Sequence, residues 1–254
     1  LGELTAGVAH EIQNPLNFVN NFSEVSVDLL DELRESTVGK LTDPHKAEAD
    51  SVINDLADNL KKINHHGKRA DSIVKGMLQH SRVAANKKEP ANINALSDEY
   101  LRLSYHALRA KDNTFNVGID TSFDDRLEKI LIVPADIGRV LINMFTNAFY
   151  SVRERAKLNI EDYEPKIWVT TQAIIKDGQL KAAQIRIKDN GTGIPNKILD
   201  KIYQPFFTTK PTGQGTGLGL SISYDIIVNE HGGELKVESK EGVYTEFIIE
   251  LPNK

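Results

Sequence analysis

The side chains best suited to bind a polar ligand lie in four short segments of the second half of the chain. The first segment is NMFTNA (143–148), in a stretch with helical periodicity, where Asn143 and Asn147 are four residues apart and share one helix face. Two amides on one face can hold a hydrated cation or a polar ligand. Two capping or surface asparagines are the plainer alternative.

The second segment, DNGTGIP (189–195), follows the strand-like sequence QIRIK. Asp189 would then stand at the end of a strand, before glycines that let the backbone approach a flat ligand closely. Its carboxylate could accept a hydrogen bond from an exocyclic amine such as that of adenine. A plain turn is the alternative interpretation, because D-N-G is common in turns.

The other two segments offer groups for a phosphate. PFFTTK (205–210) supplies Lys210, although core aromatics beside a solvated lysine would explain the segment equally well. In GQGTGLGLSIS (213–223), glycines come directly before an amphipathic helix, and backbone N–H groups at the start of that helix can bind an anion. It lacks the spacing of a Walker motif, and it does not follow a strand as a dinucleotide fingerprint would.

A fifth segment, HEIQNP (10–15), lies far from these four and places Pro15 inside a helical pattern. Proline costs about 3 kcal/mol in a helix interior, so its presence needs a reason. The order His10-Glu11 suggests an H-E-x-x-H zinc site, but Asn14 stands where the second histidine belongs. A packed or solvated histidine would not by itself account for the neighbouring acid and proline.

The elements that must position these groups differ between the two halves. Residues 1–85 are poor in Gly and Pro, and apolar residues recur at helical spacing in two stretches that the loop VGKLTDPHK (38–46) separates. This pattern predicts an antiparallel hairpin of two helices, each of roughly 35–40 residues. Because a lone hairpin leaves its apolar stripe half covered, we expect two copies to pair as a four-helix bundle.

After NKKEP (86–90) the pattern changes to strands mixed with helices, without a regular βαβ alternation. Helices are predicted at 95–111, 135–157 and 217–231, and a hairpin closes the chain. The fold class expected is therefore α+β: a helical hairpin followed by an α/β sandwich. We assign residues 1–86 to the hairpin, 87–90 to a linker and 91–254 to the sandwich.

Composition narrows the function classes. A net charge of −5 gives no indication of nucleic-acid binding, and the absence of cysteine excludes disulfides, thiolate catalysis and cysteine-based zinc sites. No apolar run approaches the length of a membrane span, and there is no signal peptide. A cytoplasmic location fits these features. Because the chain starts at Leu1 with helical sequence under way, we expect an upstream sensor part, which could anchor the whole protein to a membrane.

The order and spacing of 143–148, 189–195, 205–210 and 215–221 resemble the N, G1, F and G2 boxes of the GHKL ATPase superfamily, in its histidine-kinase branch. The HEIQNP segment resembles the H-box of HisKA-type sensor kinases. This resemblance implies ATP and Mg²⁺ as ligands, with Asn147 coordinating the metal and Asp189 binding the adenine amine. The residues that it places around the nucleotide are Asn143, Asn147, Tyr150, Asp189, Gly191, Gly193, Phe206, Phe207, Thr208, Thr209, Lys210, Gly215, Thr216, Gly217, Leu218 and Gly219. Residues 208–216 would form a lid, and Tyr150 stands where many relatives have a basic residue.

The resemblance also implies the reaction. His10 would receive the γ-phosphoryl group of ATP, Glu11 would orient the imidazole and accept its proton, and a receiver-domain aspartate of a response regulator would then take the phosphoryl group. Asn14 would position water for dephosphorylation of that regulator, which docks near residues 12–22 and 66–80. Pro15 frees the carbonyl of Glu11 and is expected to bend the helix at the reaction site.

The resemblance therefore predicts a homodimeric protein-histidine kinase, a transferase of two-component signal transduction. Two alternatives stay open on the sequence: a GHKL ATPase of another kind, in which ATP drives a clamp, and a catalytically silent scaffold.

Overall fold

A computed structural model of the chain describes residues 2–36, 38–40, 45–81, 87–211 and 215–253. This description does not include the side chains of residues 2–11, 36, 40, 69, 72, 73, 75–81 and 111. The chain divides into two compact units, one of residues 1–84 with 208–216 and the other of residues 85–207 with 217–254. Each unit is described by itself.

The first unit contains the predicted pair of long helices, α1 (Gly2–Ser36) and α2 (His45–Ser81), with a short 3₁₀ turn at Val38–Lys40 between them. The helices are antiparallel, since Asn64 Nδ2 donates to the carbonyl of Asn20 at 3.1 Å, while Arg34 bonds to Asn54 nearer the connection. The helix α1 continues through Pro15. The predicted helical hairpin is thus confirmed.

The two helices approach closely at one polar layer. Asn20 is buried, and a Cβ atom on Gly67 would lie 2.0 Å from its Oδ1, so glycine is required at that point of α2. Beside it, Lys68 and Glu24 form an ion pair of 2.7 Å. The remaining apolar stripe stays exposed on the single chain: Phe18, Val19, Phe22, Val25, Leu29 and Leu33 on α1, and Val52, Leu56 and Ile63 on α2.

The second unit is the predicted α/β sandwich. Its helices are α3 (Ile93–Lys111), α4 (Pro134–Ala156) and α5 (Gly219–Tyr224). Its strands are β1 (Glu89–Ala91), β2 (Gly118–Ser122), β3 (Ile130–Ile132), β4 (Lys166–Lys176), β5 (Gln179–Asp189), β6 (Glu234–Lys240) and β7 (Tyr244–Pro252). The main sheet has the order β2-β4-β5-β7-β6, in which only β2 and β4 run parallel.

One face of this sheet carries the core. Along β4, Ile167 and Val169 are buried while Trp168 between them is partly exposed, as strand alternation requires. The helix α4 supplies the opposing apolar surface, and it packs against α3 at Gly138, where a Cβ atom would lie 2.2 Å from the ring of Tyr100. This packing holds α4 firmly against the strands that end at the candidate site.

Two local features differ from the sequence expectation. Glu89 and Pro90, which we placed in a linker, lie in β1, because pairing with β3 supplies a partner that a three-residue strand does not reveal in its own pattern. The helix expected at 217–231 begins at Gly219 and changes after Tyr224 into a π-helix, Asp225–Glu230. The domain boundaries themselves stay a prediction.

Candidate active site

The polar face of α4 forms one wall of the candidate site. Asn143, Asn147 and Tyr150 follow one another at helical spacing on the side opposite the buried residues, and all three are partly exposed. Asn143 Nδ2 donates to the carbonyl of Gly219 at 3.1 Å and to the Ser223 hydroxyl at 3.2 Å. The amide of Asn143 therefore ties α4 to the first turn of α5.

Asp189 ends β5 and is only 2% exposed. Its Oδ1 accepts a hydrogen bond of 2.8 Å from the N–H of Gly191, and the Ser151 hydroxyl also bonds to the carboxyl group. Burial raises the pKa of Asp189 to about 7, against the two hydrogen bonds, which lower it. A buried carboxylate of this kind is a strong acceptor for any amine that enters the site.

The loop after Asp189 has its shape fixed by close contacts. A Cβ atom on Gly191 would lie 2.1 Å from Ser151 Oγ and 2.7 Å from Asp189 Oδ1. Gly193 has φ +67°, and its Cβ atom would lie 2.3 Å from the carbonyl oxygen of Lys240. Both glycines therefore allow this loop to pack tightly against neighbouring protein atoms, and the approach of a flat ligand that the sequence predicted here stays a prediction.

The phenylalanine and glycine segments meet where Phe206 lies against Gly217. Phe206 has φ +67°, an uncommon conformation for a residue with a side chain, and Gly217 has φ +69°. A Cβ atom on Gly217 would lie 2.3 Å from the carbonyl carbon of Phe206. Leu218 is buried, and Phe207 packs against the core while Phe206 is 46% exposed. Phe207 is thus the member of the pair that packs into the core.

Residues 208–216 group with the helical unit, and 212–214 lie outside the described residues. Within this segment the N–H of Lys210 donates to the Thr208 hydroxyl at 3.1 Å. Gly215 is the neighbour of both side chains, since its Cβ atom would lie 3.0 Å from Thr208 Oγ1 and 3.1 Å from Lys210 Cδ. Burial lowers the pKa of Lys210. The predicted nucleotide contacts of Thr208, Thr209, Lys210, Gly215 and Thr216 stay predictions.

The predicted phosphoacceptor segment lies on α1. The backbones of His10 and Glu11 are helical, and their side chains lie outside the described part of the structure. Asn14 and Pro15 are exposed on the same helix. His10 and Asn14 are one helical turn apart, so they stand on one face as expected.

Sequence reasoning missed three residues that hold the site together. Ser151 and Arg155 continue the face of Asn147 at steps of four residues, and that spacing was the available signal. His231 gave no signal. Its buried ring donates from Nδ1 to the carbonyl of Ile226 at 2.8 Å and accepts at Nε2 from the N–H of Val133 at 3.1 Å, which joins the end of the π-helix to the start of α4.

The donor chemistry suits Mg²⁺ better than a softer metal. The amide oxygen of Asn147 is a hard ligand of the kind that Mg²⁺ takes together with substrate phosphates and water. Among the described side chains, His, Cys, Asp and Glu form no group of three that could hold a metal alone. A cation here would therefore depend on ligands supplied by a bound phosphate compound.

Tyr150 lies beside this position. Burial and the neighbouring Glu154 carboxylate raise its pKa, so the phenol stays protonated at neutral pH and can donate a hydrogen bond.

In the described part of the chain, none of the helices combines the length and the apolar character that a membrane span needs.

Comparison with known proteins agrees with this geometry. Residues 132–254 match the family described as histidine kinase-, DNA gyrase B- and HSP90-like ATPase. The signal transduction histidine-protein kinase AtoS of Escherichia coli (strain K12) is 32% identical over 253 residues, which cover 99% of this chain and 35% of the relative. The chain thus spans about a third of the length of the curated relatives that it matches first.

Two solved structures extend the likeness. The catalytic domain of histidine kinase ThkA is 31% identical with a TM-score of 0.51, over 66% of this chain and 96% of that domain. ThkA in complex with the response regulator protein TrrA matches with 28% identity and a TM-score of 0.57, over 100% of this chain and 62% of that chain. The matched domain, the helical hairpin and the ATPase sandwich together place this chain in the sensor histidine kinase family.

Proposed function

We propose that this chain is the catalytic core of a sensor kinase that transfers the γ-phosphoryl group of ATP to His10 and then to an aspartate of a response-regulator receiver domain. The observation that carries the proposal is the buried Asp189 carboxylate, whose Oδ1 is bonded to the N–H of Gly191 at the end of a strand. It offers a strong acceptor at the position where the family binds the adenine amine.

The nucleotide would lie along α4. Asp189 would accept a hydrogen bond from the adenine amine, and the glycines 191 and 193 let the loop after Asp189 pack closely against Ser151 and Lys240. The phosphates extend toward Asn147 and the turn that leads into α5. Asn147 would hold Mg²⁺ together with the phosphates, and the bound metal would supply neutralisation of the phosphate charge, which is the main requirement of phosphoryl transfer.

The transfer step follows from the chemistry of a neutral imidazole. One ring nitrogen of His10 attacks the γ-phosphorus while the bond from phosphorus to the leaving oxygen of ADP breaks. The proton on the other ring nitrogen passes to Glu11, and a phosphoramidate remains on His10. The receiver aspartate then attacks that phosphorus, and the imidazole leaves. The solved ThkA–TrrA complex supports a regulator as the acceptor.

Homodimerisation is proposed from the helical unit alone. The large apolar side chains exposed on α1 and α2 form a long stripe whose contact with water is unfavourable. A second copy of the hairpin would cover it as a four-helix bundle. The exposed fraction of Leu29 is 58%, and it lies near the middle of the stripe on α1.

Phosphatase activity toward the regulator is part of the proposal, with Asn14 positioning the attacking water. Pro15 is expected to make this end of α1 deformable, so that Pro15→Ala changes the balance between kinase and phosphatase rates. Both rates can be measured with one regulator, by its labelling and by loss of label from it. Equal ratios in Pro15→Ala and the unchanged protein would reject this role.

The test of the main reaction is incubation of the full chain with γ-labelled ATP and Mg²⁺. We expect label on the protein that is stable in base and lost in acid, absent in His10→Gln, and retained in His66→Gln, which alters an exposed histidine of α2. Hydrolysis of ATP without labelled protein would instead indicate another ATPase of the superfamily. Nucleotide binding with neither outcome would indicate a scaffold.

A further inference from the structure

Arg155 in the last turn of α4 gathers three backbone carbonyls. Its Nη1 donates to the carbonyl oxygens of Asn190 at 2.7 Å, Val243 at 2.9 Å and Gly191 at 3.2 Å. The guanidinium group also lies 4.7 Å from the ring centroid of Tyr163. One side chain thus joins α4 to the loop after β5 and to the turn between β6 and β7.

One of these contacts leads directly to the base-binding carboxylate. The peptide group between Asn190 and Gly191 accepts from Arg155 through its oxygen and donates through its N–H to Asp189 Oδ1 at 2.8 Å. A hydrogen bond from a charged donor polarises the peptide, which strengthens the hydrogen bond on its other side. The guanidinium also fixes the plane of this peptide, because a rotated peptide would lose both partners.

The hydrogen bonds of the Asn190 side chain do not involve the 190–191 peptide, whose oxygen accepts from Arg155. The Asn190 side chain accepts from the N–H of Lys166 at 2.8 Å and donates to the carbonyl of Glu164 at 2.8 Å. These bonds anchor the Asn190 side chain and do not involve its carbonyl. At Gly191, which has no side chain, the two hydrogen bonds of the peptide add to the close contact with Ser151 in fixing its orientation.

We propose that Arg155 is a positioning residue for nucleotide recognition, which orients the 190–191 peptide so that Asp189 presents an oxygen to the amine of the base. The inference rests on the proposed ATP site and adds to it a residue outside the pattern of the four family segments. The N–H of Gly191 bonds to Oδ1 and the Ser151 hydroxyl also bonds to this carboxyl group, so these partners set the orientation in which the carboxyl group meets the amine.

The charged and titratable groups around Asp189 are few and identifiable. Its pKa of about 7 comes from burial, and the hydrogen bonds of Gly191 and Ser151 lower it. Burial is the main cause that raises the pKa of the Tyr163 hydroxyl to about 12. The charge of Arg155 lowers this pKa and the charge of Asp189 raises it, so the hydroxyl interacts with both. Loss of the Gly191 hydrogen bond would therefore raise the pKa of Asp189 further.

The experiment measures binding of two nucleotides to the full chain by calorimetry. One nucleotide is ATP and the other is purine riboside triphosphate, which lacks the 6-amino group. We expect Arg155→Met to weaken ATP binding about tenfold, the size of one charge-assisted hydrogen bond, and to leave the analogue within about twofold. The matched control is Arg153→Met in the same helical turn, which breaks the ion pair of 2.9 Å with Asp112 and should change neither affinity.

Two further measurements distinguish the loss of a positioning role of Arg155 from general damage to the folded protein. ATP affinity should fall as the pH drops through the pKa of Asp189, and the midpoint of this fall should lie at a higher pH in Arg155→Met. Arg155→Lys, which keeps a charged donor, should recover most of the ATP affinity. Equal weakening of both nucleotides with an unmoved midpoint would overturn the inference, as would an Arg155→Met protein that binds ATP normally.

The outcomes also separate this inference from the proposed function. If Arg155→Met does not fold, the same two-nucleotide comparison is made with Arg155→Gln, which also removes the charge, where a loss confined to ATP supports the inference and any other result contradicts it. If the unchanged protein does not bind ATP, the proposed function fails. If it binds ATP and Asp189→Asn abolishes binding while Arg155 variants do not matter, only the inference fails.

Discussion

Replacing Asp189 with asparagine should stabilise the nucleotide-free protein while it removes ATP binding. The folded structure buries the carboxyl group to 2% exposure and raises its pKa to about 7, against an ordinary value of 3.8. Between these two pH values the folded state keeps a proton that the unfolded chain has released. The wild-type protein therefore loses stability as pH rises through this window, and Asp189→Asn does not.

The magnitude follows from the two pKa values. The free energy of unfolding of the wild type should fall by about 1.4 kcal/mol per pH unit within the window. The advantage of Asp189→Asn should be under about 1 kcal/mol at pH 4 and about 4 kcal/mol at pH 8, where both states of the wild type carry the charge. The asparagine oxygen can still accept from Gly191, so that the loop keeps its shape.

Urea unfolding at several pH values provides the assay. The chain has one tryptophan, Trp168 on the interior strand β4, so its fluorescence reports unfolding of the sheet without interference from the helical hairpin. The control is Asp200→Asn, an exposed aspartate of the same unit, for which no pH-dependent gain is expected. A gain that is equal at pH 4 and pH 8, or a loss at pH 8, would refute the reasoning about burial of this charge.

Three more predictions concern other parts of the chain. His231→Ala leaves the buried N–H of Val133 unpaired and should cost about 2 kcal/mol in urea unfolding followed by tryptophan fluorescence, whereas exposed His106→Ala should cost almost nothing. Gly191→Ala should abolish ATP binding in calorimetry, because its Cβ atom has no room, while Gly118→Ala, in ordinary contact, should not. Leu29→Glu should shift the chain toward monomer in sedimentation experiments, and an unchanged dimer would place the interface elsewhere.

The sequence predicted the parts of the fold that repeat a simple period. Both long helices of the hairpin and α4 follow apolar spacing over many turns, and the structure confirms them. The strand β1 was missed because three residues are too few to show alternation. The π-helix at Asp225–Glu230 could not be predicted, since it depends on the bonds of the Ile226 carbonyl to the backbone and ring of His231.

At the site, short segments identified the groups that face a ligand but not the groups behind them. Asp189 and its glycines carry a recognisable pattern, whereas Arg155 is one of two arginines in the last turn of α4 and looks like a solvated end of a helix. Only the folded chain shows that Arg155 reaches three carbonyls while Arg153 pairs with Asp112. Such assignments need contacts between segments far apart in sequence.

The proposed mechanism is tested most directly by locating the phosphoryl group after incubation with ATP and Mg²⁺. Peptides prepared at neutral or basic pH and mapped by mass spectrometry should carry one phosphoryl group on the peptide that contains His10, and a receiver protein added afterwards should remove it. A phosphoryl group on any other residue, or none at all on protein with ATP bound, would contradict the mechanism.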